Sequence, residues 1–500
     1  MTLGTQPEGA PSFAAGEGWG TDSARSRHNS ALDHPSPEVR VGIVLPADGI
    51  TRLPLAVPDV AYRLSSPSAA ARTVRAATLE CAVAGEAVRV RLAGAELGAA
   101  PAWTLEPAGS RSACGEADGF AGPAVRVDGV IAGRGFHWQA TTQQFLPGAL
   151  TVRSVQGRLF LAARLPLEEY LAGVITAEMS GRCPLEFLKA QCVVARSWTL
   201  AHSERKHDDL GLDLCNDDCC QRYQGNAALT DSARLAVCQT SGEVLLDESG
   251  ALVDANYSKS CGGIVEAPEA VWGSAKPGLS ALVDAPPAGP RLETGNTARF
   301  QPVTEQNIGE YLTGAWLSEC DAWCSPRSVD AAAVSAYLGR VDLGGGFFRW
   351  TVSYDRSRLE EILRSKSAPD LPLNDLVELC DIVVTQRGVS GRATALDVVY
   401  LDAAGQRAVA TIGDQYRIRR ALHEKFLYSS AFCVRVDRDP PQPTGRAIRF
   451  HFDGAGWGHG TGLCQIGALG MALAGHDYRA ILAHYFPTAG TTGQGRRLNP

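Results

Sequence analysis

The hydrophobic period changes sharply near Leu165, and that change limits the folds open to this chain. From Val39 to about Leu165, short β-branched runs are broken by Gly and Pro: "VRVGIVL", "AVRVRLAG", "AVRVDGVIAG", "ALTVRSVQGRLFLAA". "VRVRL" and "LTVRSV" alternate apolar and polar residues, as half-buried strands do. From Leu167 the spacing is helical: "LPLEEYLAGVITAEM" sets Leu167, Tyr170, Leu171 and Val174 on one face. A break at "SGRCP" follows, and Pro184 suits the first turn of a second helix, "PLEFLKAQCVVARSWTLAHSERK". Strands followed by helices predict an α+β fold.

The remaining segments divide the chain further. Residues 1–38 are rich in Gly, Ser, Pro and Ala and lack the apolar stretch of a signal peptide, so a disordered leader is expected there. Residues 39–165 form the β-rich part, 166–286 a helical core with a cysteine-rich loop, and 287–440 a β-rich insertion with short helices. The Pro-rich "DRDPPQPTG" marks the exit from that insertion. Residues 441–500 carry a Gly-rich loop running into two helices that complete the core. The 500-residue length fits roughly two to four domains. A net charge of -7 argues against a general nucleic-acid binder. No apolar run approaches the roughly 20 residues of a transmembrane helix. The 14 cysteines are spread too widely to form a small-domain disulfide framework, so they do not fix the redox compartment.

Four groups of residues can carry chemistry. Glu178, in "ITAEMSG" at a helix end, is a candidate general acid, because a desolvated carboxyl has a raised pKa; a lone helical glutamate is otherwise usually solvated. On the second helix Leu185, Leu188, Cys192, Ala195 and Thr199 form one apolar stripe, with Lys189 and Arg196 two turns apart beside it. Such side chains can bury their stems and aim their heads at a groove, or simply face solvent. "GAGWGHGTG" has no Walker lysine–serine pair and no strand–GxGxxG–helix context, so a nucleotide loop is poorly supported. Its glycines do allow close backbone approach, with His459 at the centre. Finally, His207 with Cys215, Cys219 and Cys220 supplies soft ligands suited to Zn²⁺. The spacing matches none of the common zinc-finger patterns, and ordinary thiols or a disulfide are the competing reading. A zinc hydrolase built on these ligands would need an open coordination position and a nearby base.

Taken in order, the segments resemble the SpoIID/LytB family, the stage II sporulation protein D and amidase-enhancer type. "LPLEEYLAGVITAEMSGRCPLEFLKAQCVVARSWTLAH" resembles that family's signature, "CCQRYQG" its CQ-Y-G segment and "ANYSKSCGGIVEAPEAVWG" its SGG-T-VW segment. "RGVSGRATAL" and the ending "GAGWGHGTGLCQIGALGMALAGHDYRAILAHYFP" complete the order, from about Val39 to Gly490. The resemblance implies a lytic transglycosylase that cuts peptide-stripped peptidoglycan glycan strands, with Glu178 as acid/base. It implies substrate contacts from Lys189 and Arg196 and extends to Tyr257, Ser258 and His459 as groove contacts. It also implies a structural zinc ion on His207, Cys215 and Cys220, with Cys219, Cys261 or a water as fourth ligand. An envelope location follows from such a substrate, although no signal peptide is visible. A cell-wall amidase is an expected partner, and a non-catalytic amidase enhancer is the alternative function. Cys261 and Cys464 depart from the family pattern, standing where many members carry serine.

Overall fold

Among the described residues, the alternation of the N-terminal part becomes twelve strands, most with one buried face. The computed structural model describes residues 37–109, 124–136, 138–201, 204–286, 302–313, 322–339, 346–369, 371–443 and 445–491. All but the last two residues of the leader expected at 1–38 lie outside them. The strands are β1 (Glu38–Val44), β2 (Arg52–Val57), β3 (Tyr62–Ser66), β4 (Ala69–Val74), β5 (Ala77–Ala84), β6 (Ala87–Leu92), β7 (Ala95–Ala100), β8 (Ala102–Pro107), β9 (Val125–Ala132), β10 (Ala140–Leu146), β11 (Ala149–Val155) and β12 (Arg158–Pro166). A thirteenth, β13 (Leu214–Cys215), comes from the cysteine-rich loop. One sheet has the order β13-β1-β12-β11-β8-β3-β4 and the other β10-β9-β2-β5-β6-β7. In β6, Val88 and Val90 point inward while Arg89 and Arg91 face solvent. The two sheets share one apolar core, and the Trp103 indole N–H of β8 reaches the Val88 carbonyl of β6 across it at 2.9 Å.

Two helices follow as the spacing predicts: α1 (Leu167–Glu178) and α2 (Leu185–Ala201). The expected single apolar stripe on α2 is a correction. Phe187, Ala190, Gln191, Val193, Val194, Ser197 and Trp198 are buried as well, so the helix is enclosed on nearly every side. The cause is its position. α1, α3 (Asp231–Gln239), α4 (Gln465–Leu473) and α5 (Tyr478–Tyr485) all pack on it. Its small and β-branched residues permit that crowding.

Two three-stranded sheets lie in the region expected as an insertion. In one, Arg446–Ala455 runs between Arg349–Asp355 and Phe432–Asp439, so this sheet continues past residue 440. The other joins Glu378–Arg387, Ala393–Leu401 and Arg407–Gly413. Together they enclose a separate core around Leu359, Leu396, Phe432, Phe450 and Phe452. Buried Arg392 fastens this unit to the centre, donating to the carbonyls of Cys261 (3.2 Å) and Gly458 (3.3 Å).

Candidate functional site

Glu178 is the last residue of α1, where the helix stops and Met179 turns extended. The residue is 8% exposed. Its Oε1 accepts the Arg222 backbone N–H at 3.0 Å and the Tyr257 hydroxyl at 3.0 Å. Its Oε2 meets only the Gln465 side-chain amide, at 3.4 Å. The Glu178 carbonyl accepts from the Lys259 ammonium at 2.7 Å. The two oxygens therefore differ: Oε1 is held as an acceptor by two good donors, and Oε2 is the oxygen with room for a proton.

Burial raises the pKa of Glu178 above the usual carboxylate value, against the pull of the Arg222 and Lys259 cations. The nearby Asp218 carboxylate adds to the rise. That second acid is itself occupied: its oxygens accept from the Arg222 guanidinium at 3.1 and 3.2 Å, and from the Trp138 indole at 2.8 Å. The Trp138 ring stacks under the same guanidinium at 4.2 Å. Among the described residues here, Asp218 is held in an ion pair and Glu178 is not.

Three chain segments far apart in sequence bring these groups together. The segment holding Arg222 is pinned where Gly225, at φ +69°, bridges to Phe145 of β10. A Cβ there would stand 2.2 Å from the Phe145 carbonyl oxygen, so only glycine fits. Tyr257 and Ser258 form a short strand parallel to Leu463–Cys464, which sets Tyr257 and Gln465 side by side over Glu178.

The other expected site residues divide. Tyr257 reaches the carboxylate directly. Ser258 is buried on the same strand, its hydroxyl without a hydrogen-bond partner. His459 touches the Tyr257 backbone, accepts the Thr461 N–H on Nδ1 at 3.1 Å and packs against the Trp272 ring. Burial, with Arg392, Arg419 and Lys276 nearby, lowers its pKa to about 3, so the imidazole stays neutral and positions Tyr257 without exchanging protons near pH 7.

Lys189 and Arg196 are not brought to the carboxylate. The Lys189 ammonium pairs with Glu186 one turn back on α2 at 2.6 Å. The Arg196 side chain is 1% exposed and forks onto Glu168 at 2.9 and 2.6 Å, with a third bond to the Glu243 carbonyl. It joins α2 to the start of α1, a structural role. Arg222, Lys259 and Gln465 escaped the sequence reading. "CCQRYQG" and "GLCQIGA" were visible as segments, but nothing in them says which side chain turns towards α1.

The cysteine-rich loop docks on the N-terminal sheet through β13, which runs parallel to β1 with Gly42 opposite Cys215. His207, Cys215, Cys219 and Cys220 present ligand atoms within 4.8 Å of one another. Cys219 Sγ lies 3.0 Å from Cys215 Sγ and 3.7 Å from His207 Nε2. Three sulfurs and an imidazole nitrogen are the donors of a tetrahedral thiophilic ion, so these residues fit a metal. Cys261, expected as a possible fourth ligand here, belongs instead to another buried group with Asp284, Cys324 and Cys464.

Comparison with known proteins agrees with this geometry. Residues 155–246 match the family model described as Stage II sporulation protein (SpoIID), a span holding Glu178, α1, α2 and the cysteine-rich loop. Residues 328–462 match a domain of unknown function, DUF8618. The amidase enhancer of Bacillus subtilis (strain 168) is 28% identical over 327 residues, which cover 64% of this chain and 40% of that protein. An uncharacterised protein of Brachyspira hyodysenteriae is 24% identical over 339 residues, 68% of this chain and 70% of its own. The chain therefore spans well under half the length of the Bacillus relative.

Proposed function

We propose that this chain, a member of the SpoIID/LytB family, acts on the cell wall as a peptidoglycan lytic transglycosylase with Glu178 as its acid and base. The observation that carries this reading is a buried carboxyl with a raised pKa and one lightly engaged oxygen. Ordinary glycosidases need two carboxyl groups, one for the leaving oxygen and one as nucleophile or base. A lytic transglycosylase needs one. Protonated Glu178 gives its proton to the glycosidic oxygen leaving C1 of N-acetylmuramic acid. The carboxylate so formed is stabilised by the Tyr257 hydroxyl and the Arg222 N–H. It then takes the proton of the sugar's own C6 hydroxyl as that oxygen attacks C1. The 1,6-anhydro ring closes and the acid is restored. The attack is intramolecular, so proximity takes the place of a second carboxylate. Purified protein incubated with peptide-free glycan strands is expected to release 1,6-anhydro ends, read by mass spectrometry. Intact strands would leave the second reading, a non-catalytic enhancer of a cell-wall amidase, which the Bacillus relative's name favours. Such a substrate lies outside the cytoplasmic membrane, so the protein acts in the envelope. No helix among the described residues is long and apolar enough to cross a membrane.

The acid must be protonated to begin the reaction, so cleavage falls as pH rises through the Glu178 pKa. Tyr257→Phe removes a donor that favours the charged form, which raises that pKa further. The alkaline limb of the pH–rate profile is expected to move to higher pH in this variant. A limb that stays in place or moves down separates Tyr257 from the proton transfer.

His207, Cys215, Cys219 and Cys220 would hold a zinc ion, which supplies no step of the reaction and fastens the loop that carries Arg222. The variant Cys215→Ser/Cys220→Ser is expected to carry one zinc ion per chain fewer than the parent by elemental analysis. Equal zinc in both proteins defeats this assignment.

A further inference from the structure

Four side chains that the proposed chemistry leaves unused meet beside the strand pair of Tyr257–Ser258 and Leu463–Cys464. Cys261, Asp284, Cys324 and Cys464 place their sulfurs and a carboxylate oxygen within 4.8 Å of one another. Their exposures are 1%, 0%, 2% and 1%, so the group is closed to solvent. Burying a carboxylate among three thiols is costly unless a cation balances it. Asp284 Oδ1 is taken by the Tyr485 hydroxyl at 2.7 Å and by His484 Nε2 at 3.2 Å. Oδ2 accepts from the Cys261 thiol at 3.1 Å.

Two of the sulfurs also accept backbone N–H groups. Cys464 Sγ receives the backbone N–H of Cys261 at 3.2 Å and of Gly467 at 3.3 Å, the latter from the first turn of α4. Cys261 Sγ receives the Gly263 N–H at 3.3 Å. At Cys464 two backbone N–H groups, one of them from the helix N-terminus, are directed at the sulfur that would ligate metal. A Cβ on Gly467 would stand 2.5 Å from Asp284 Oδ2, so glycine is what admits the carboxylate against α4.

We propose that these residues form a second metal centre, a tetrahedral zinc site of three thiolates and one carboxylate, separate from the loop site. The dimensions suit one ion. Two Zn–S bonds of about 2.3 Å at the tetrahedral angle set their sulfurs about 3.8 Å apart; Cys261 and Cys324 are at 3.6 Å. Thiolate ligands select a thiophilic ion over magnesium or calcium. The four atoms lie too close together to embrace a cluster of several irons. Tyr485 and His484 orient the Asp284 ligand from behind, as outer-shell partners do. With no position open to water, the ion is structural. It ties Cys324 to the strand pair that delivers Tyr257 and Gln465 to Glu178, closing long loops in the chain.

The test is elemental analysis of the full chain purified under reducing conditions without added metal. The parent is expected to hold two zinc ions per chain, and Asp284→Asn and Cys324→Ser one each. Where those variants fold poorly, X-ray absorption of Cys215→Ser/Cys220→Ser, which retains only the buried centre, replaces them. Its spectrum is expected to show three sulfurs near 2.3 Å and one oxygen. Zinc content unchanged by both Cys324→Ser and Asp284→Asn, or peptide mapping that finds Cys261 disulfide-bonded to Cys324 or Cys464, overturns the proposal; a parent with one zinc ion that Cys324→Ser removes counts against the loop site alone.

Discussion

Glu178→Gln is expected to lose release of 1,6-anhydro ends by about 10²–10⁴-fold, the usual worth of general acid–base assistance. The amide keeps the shape of the carboxyl and can still accept from Tyr257 and Arg222 through its oxygen. It has no proton of suitable acidity to give to a leaving oxygen. Folding and affinity for peptide-free glycan strands should therefore stay close to the parent's. Loss of cleavage with retained binding separates catalysis from adhesion. Equal release by variant and parent would remove Glu178 from the chemistry, whatever else the protein does with the wall.

The second large effect concerns stability. Arg196 and Glu168 form a forked pair with side-chain exposures of 1% and 12%. Glu168→Ala leaves the guanidinium buried with only the Glu243 carbonyl and the Cys192 sulfur as partners. Removing one member of a buried pair costs about 3–5 kcal/mol. In a urea titration the midpoint is expected to fall with little change in slope, the sign of lost stability without a change in exposed surface. Arg196→Lys should fall less, since the charge survives and only the fork is lost. If instead both variants melt like the parent and bind glycan more weakly, Arg196 is a substrate contact after all.

That contrast marks what helical spacing can and cannot tell. Position along α2 correctly gives Lys189 and Arg196 the same side of one helix, but it does not say what covers that side. Here α1 and the Glu243 carbonyl cover Arg196, while Lys189 finds a partner one turn away. The alternating strands were legible because a period of two is a local property. The cysteine-rich loop was legible for the same reason, its ligands lying within fourteen residues. Arg222, Lys259 and Gln465 were not, because their roles depend on where distant backbone comes to rest. The buried group at Cys261 was harder still. Two of its cysteines stood out only as departures from a family pattern, and its ligands span 203 positions from Cys261 to Cys464.

The wiring of Glu178 has a consequence for the order in which a ribosome delivers the chain. The acid leaves the exit tunnel with α1, but its partners follow at Arg222, Tyr257 and Lys259, and at Gln465, 287 positions later. Until the last of these has emerged and the parallel strand pair has closed, Glu178 is an ordinary solvated carboxylate, ionised at neutral pH. A nascent chain that stops before Gln465 thus holds the helix bearing Glu178 without the environment that raises its pKa. Under the proposed function, cleavage is therefore withheld until Gln465 has been made, and that delay is set by topology.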